Sequence, residues 1–133
     1  MPIKVILTLA ALLAAPLAAA GDINGFWKHA EEPGWIEISL DEGKGTVVRN
    51  DKFPERVGRE IVKDLVADES TAGLWHAQVY AERLGEYRDA EISLPAHDRM
   101  QFKVKVGFIS RTIEWVRVDS IPEAAASQAQ ATD

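Results

Sequence analysis

Between Arg99 and Phe108 the chain alternates strictly: Met100, Phe102, Val104, Val106 and Phe108 fall on one parity, Gln101, Lys103 and Lys105 on the other. A period of two is that of an extended strand with one face buried and one wet. Such a strand is not stable alone; it needs neighbours that bury the same face. The pattern recurs along the chain. Ile36, Ile38 and Leu40 alternate with Glu37 and Ser39; Trp75, Ala77 and Val79 share a face, as do Ala90, Ile92 and Leu94. Turn residues separate these runs: Pro33-Gly34, Gly43-Lys44-Gly45, Pro54 with Gly58, the connection 67–73, and Pro95 as the end of its run. Residues 25–30, 35–40, 46–50, 74–80, 86–94, 99–108 and 111–118 are predicted strands. Residues 61–66 are ambiguous, since Ile61/Leu65 and Val62/Val66 are also helical pairs. The run is short and β-branched, so a strand is expected there as well.

Eight short strands joined by short turns suit an up-and-down antiparallel barrel, an all-β fold. A two-sheet sandwich would show the same alternation. Trp27 on the first strand and Arg117 on the last favour the barrel. The two can meet only if the terminal strands are neighbours, which closure provides.

The ends of the chain read differently. Met1–Lys4 is short and positive, Val5–Leu17 is apolar, and Ala18-Ala19-Ala20 offers small residues for cleavage. This is the layout of a signal peptide over residues 1–20, cut after Ala20. The apolar run falls short of the roughly 20 residues of a membrane span. With no cysteine, the leader is not a lipoprotein leader and the mature domain has no disulfide. A periplasmic or secreted protein without a membrane span is expected, with its barrel at residues 22–119. Pro122 ends the sheet, and the Ala-, Ser- and Gln-rich residues 120–133 read as a disordered tail.

Charge narrows the partners. The chain has 15 basic and 21 acidic residues, a net charge of −6, and loss of Lys4 with the leader makes it more negative. Nucleic acid and anionic membrane surfaces are poor partners for it.

Several segments in order resemble the small exported bacterial proteins grouped as the domain of unknown function DUF2147, related in shape to lipocalin-like (calycin) barrels. They are Gly25-Phe26-Trp27-Lys28, Trp35-Ile36-Glu37-Ile38, Gly45-Thr46-Val47-Val48 and Gly58-Arg59. Trp75, Tyr87-Arg88-Asp89-Ala90, and Arg111 with Trp115-Val116-Arg117 follow. His76-Ala77 departs from the Gly-Gly common there, and Ala81-Glu82-Arg83 from an Asp-Pro turn. The resemblance implies an exported β-barrel and no particular activity.

Catalytic chemistry has little to stand on. His29, His76 and His97 show no metal-ligand spacing and read as surface histidines; no metal or cofactor is expected. There is no Gly-x-Ser-x-Gly elbow and no cysteine nucleophile. Glu37 and Glu91 sit on outward parities. The inward faces offer more, because an eight-stranded barrel is either filled or holds one small ligand. Ile38, Val79, Ile92, Phe102, Val104 and Trp115 are the candidate lining residues, with Trp27 and Arg117 as the closure pair. The leading reading is a non-catalytic module for a small apolar or amphipathic ligand such as an acyl chain. A filled barrel acting as an envelope interaction or structural protein is the alternative, and an enzyme the third.

Overall fold

In the computed structural model, residues 21–122 are described; the expected leader, and the expected tail beyond Pro122, lie outside them. Eight strands follow one another: β1 (Gly25–His29), β2 (Gly34–Ser39), β3 (Lys44–Asn50), β4 (Glu60–Ala67), β5 (Leu74–Ala81), β6 (Glu86–Ala96), β7 (Arg99–Val106) and β8 (Ile109–Val118). A single 3-10 turn, Pro54–Arg56, lies in the β3–β4 loop. Each strand pairs antiparallel with the next, and β8 pairs with β1, so the sheet is a closed barrel. Trp27 lies opposite Arg117 in the closing ladder and opposite Ile36 on its other side. The barrel replaces the sandwich as the answer to the alternation, and the ambiguous run at residues 61–66 is strand.

The inner rows carry the core. Trp27, Ile36, Ile38, Val47, Val62, Trp75, Val79, Ile92, Met100, Phe102 and Trp115 belong to one buried cluster, with Ile23 added from the arm before β1. Gly45 faces inward where a side chain has no room: a Cβ there would stand 2.8 Å from Ile38 Cδ1 and 3.1 Å from Val62. Trp35 is buried too, but outside the core, covered by Lys28 and Arg49 at 5.5 and 5.0 Å from its ring.

Two local expectations fail, and one strand carries an irregularity that the sequence did not announce. Pro95 does not end β6, which continues to Ala96. The β6–β7 register shifts between Ser93 and Ala96, and a proline is tolerated at such an irregularity because no ladder donor is required of it. Phe108 does not face inward: β7 ends at Val106, and Phe108 is fully exposed in the turn. Its parity continues the alternation, but the chain has already begun to reverse. In β4 the alternation is broken at Asp64, which has φ of 53° in the left-handed region. The irregularity there puts both Val62 and Leu65 inside and leaves Val66 exposed.

Candidate functional site

The turns divide the barrel into two ends. One end gathers the β2–β3, β4–β5 and β6–β7 turns with both termini of the barrel chain. The other gathers the β1–β2, β3–β4, β5–β6 and β7–β8 connections.

The first end is clamped shut. The Trp27 indole N–H donates to the Ile23 carbonyl at 3.0 Å, holding the preceding arm under the barrel. Arg117 lies 4.3 Å over the Trp27 ring. Its Nε donates to the His97 carbonyl at 2.9 Å, its Nη1 to Asn24 at 3.0 Å and its Nη2 to Asp22 at 2.5 Å. One guanidinium thus joins the arm, the β6–β7 turn and β8. Planarity matters here, because one face stacks while the N–H groups reach carbonyls around the rim. Asn24 adds a further tie, its side-chain oxygen accepting from the Leu40 amide at 2.6 Å. Gly25 makes room for this clamp. Its φ is +128°, and a Cβ there would lie 3.3 Å from Arg117 Nη1.

The second end is left without such an arm, since both termini of the barrel chain lie at the first. Inner-face positions, apolar through the middle of the barrel, become polar there. His29, the last residue of β1, meets Trp115 edge-on with ring centroids 5.1 Å apart. Arg88 lies opposite Val79 on β6, and Arg111 opposite Val104 on β8. By register both arginines share the inner face with Ala90, Ile113 and Trp115. Two donors there are shielded from water without a hydrogen bond: the Trp115 indole N–H and Arg88 Nε. Glu86 Oε2 lies 3.1 Å from Arg88 Nε, close enough for an ion pair but off the N–H direction. Four apolar side chains are exposed around this end: Phe108 and Ile109 at the β7–β8 turn, Leu84 in the β5–β6 turn and Val57 in the β3–β4 loop.

All six predicted lining residues point inward and are buried. They do not form one wall. Ile92 and Phe102 are fully enclosed and pair with each other across β6–β7, as part of the packed middle. Val79, Val104 and Trp115 lie nearest the polar inner positions. Ile38 lies across from Gly45 and Gly25, toward the clamped end. Arg88, Arg111 and His29 were missed as inner-face groups. Counting back by two from Ala90, and from Trp115, would have found the arginines.

His76 is more than a free surface histidine. It stands within β5, and its Nε2 lies 2.7 Å from Asp68 Oδ2. Asp68 also accepts from the amides of Ser70 and Thr71, each at 2.9 Å. The imidazole contact first, and then these amides, hold its carboxyl far below the usual carboxylate range. On the outer face of β2–β3, Glu37, Ser39, Asp41, Glu42, Lys44 and Thr46 line an open depression of about 420 Å³. Among the described residues no three His, Cys, Asp or Glu side chains are grouped to hold a metal ion.

No family profile and no curated relative matches the chain. Among solved structures the barrel is similar to protein HP1028 of the human pathogen Helicobacter pylori, described as belonging to the lipocalin family. The TM-score is 0.59 at 12% identity, over 80% of this chain and 90% of that one. At that identity the likeness is one of fold, and the chain has a lipocalin-like barrel.

Proposed function

We propose that the protein is an exported binding module that takes a small amphipathic molecule into the open end of its barrel. The observation that carries this reading is the Trp115 indole N–H, buried on the inner face with no acceptor. A buried donor left unsatisfied costs about 1–3 kcal/mol, and proteins retain such groups chiefly where something else completes them. His29 and Phe102 lie against its ring, and Val79 and Val104 stand opposite the inner arginines toward the rim; the leader-like first 20 residues and the resemblance to DUF2147 support the exported setting. The packed middle limits the ligand to a short one. Native mass spectrometry of protein purified from its own envelope tests the reading. A bound small molecule, lost on Trp115→Phe with the fold retained, is the expected result. Unliganded protein that also leaves a panel of short amphiphiles unbound at millimolar concentration would sink it.

The exposed Phe108, Ile109, Leu84 and Val57 favour a second reading, a filled barrel that uses this rim to meet a protein of the envelope. The two readings separate on Phe108→Ser: a rim contact is lost, whereas uptake of a small ligand past Trp115 persists.

A further inference from the structure

We propose that the open end recognises a carboxylate, so that the ligand is a short amphipathic acid held at its head by Arg88 and Arg111. This rests on the binding-module reading and adds to it the chemistry of the headgroup. The two arginines stand on β6 and β8, with β7 between them. The connection runs through one row of the sheet, in which Val104 lies opposite both Ala90 and Arg111, and Arg88 is two residues from Ala90 toward the open end. Both are on inner-face parities, beside Ala90 and Ile92 on β6 and Ile113 and Trp115 on β8, with Glu86 and Arg117 on the same parities nearer the strand ends. Arg111 is exposed and the Arg88 side chain partly so, which leaves both guanidinium groups within reach of an anion arriving from solvent.

Arg88 already shows what kind of anion fits. Its Nε is buried and makes no hydrogen bond, while the Glu86 carboxylate sits 3.1 Å away at an angle that the N–H cannot use. Glu86 is two residues earlier on the same strand, and the strand holds it off the N–H axis. A carboxylate on a free molecule has no such tether and can meet the planar fork squarely. Its chain would then run down beside Val79, Val104 and Ile113, toward the unpaired Trp115 N–H. Glu86 thus acts as a weak internal competitor for the ligand's head.

Calorimetric titration of the purified chain with octanoate, octan-1-ol and octylamine tests this. Wild type should bind octanoate at least about tenfold more tightly than octanol, as a charge-assisted hydrogen bond allows. Arg88→Gln and Arg111→Gln should each bring octanoate down toward the alcohol, with circular dichroism unchanged. Arg88→Lys, which keeps the charge, should retain part of the preference. Glu86→Gln should raise octanoate affinity and leave octanol alone. Equal binding of octanoate and octanol would overturn the carboxylate and leave the barrel a module for apolar chains. Binding of none of the three probes would overturn both readings.

Discussion

At the scale of single residues, Arg117 and Trp27 do the most for their size. Trp27 is fully buried, and the Arg117 guanidinium lies over its ring while donating to three carbonyls. Trp27→Ala removes a large enclosed ring and should cost about 3–5 kcal/mol in urea denaturation. Arg117→Lys keeps the charge but cannot both stack and reach three acceptors, so about 2 kcal/mol is expected from the lost charge-assisted bonds. A double-mutant cycle on the pair should return a coupling of about 0.5–2 kcal/mol, the range of a cation–π contact. A coupling within 0.3 kcal/mol of zero would mean that the two act independently. Gly25→Ala is a subtler probe of the same clamp. It forces a side chain into the left-handed backbone region beside Arg117 Nη1, so it should destabilise although it removes no contact. This closure pair was legible in the sequence, because strand order put the two residues on the terminal strands and the resemblance to lipocalin-like barrels implied their contact. The inner arginines at the other end were not singled out, since an arginine on a strand ordinarily means a solvated face.

At the scale of elements, alternation located β2, β5, β6 and β7, while residues 61–66 were read as strand from their β-branching alone, and the period failed where one residue was inserted or the chain turned. The irregularity at Asp64 is an example: it shifts parity within β4, and no hydrophobic period marks it in advance. The same limit put Phe108 inside by counting past a turn that begins at Gly107. The β4–β5 connection is held differently, by Asp68, which accepts from His76 and from the Ser70 and Thr71 amides. Because the folded carboxyl lies below its ordinary value, the native state binds fewer protons than the unfolded chain in acid. Its stabilising contribution is therefore complete above about pH 4, the ordinary carboxylate range. It is lost progressively as pH falls below that toward the folded value. Asp68→Asn should be less stable than wild type at neutral pH and lose less on acidification, so that the two curves draw together as pH falls below about 4. Parallel curves from pH 7 to pH 2 would show that this carboxylate does not report folding.

At the scale of the whole molecule, closure is what lets a cysteine-free chain of this length stand without an edge strand. An open sheet would leave one side of β1 and one side of β8 unpaired, and such edges fray and recruit other chains. Here Phe26, Trp27 and Lys28 have partners on both sides, in β2 and in β8. Their amides should resist hydrogen exchange about as well as those of β5 and β6, which lie on the far wall. Mass spectrometry of exchanged peptides compares them directly. The clamp makes the comparison sharper. Arg117→Ala removes the link between the arm, the β6–β7 turn and β8, but leaves the β5–β6 ladder untouched. Protection should fall in residues 21–29 and 110–118 first, while β5 and β6 keep theirs until global unfolding. If β1 and β8 exchange like turns in the wild type, the barrel is not closed in solution. If Arg117→Ala lowers protection evenly everywhere, the clamp is part of one cooperative core rather than a latch on its seam.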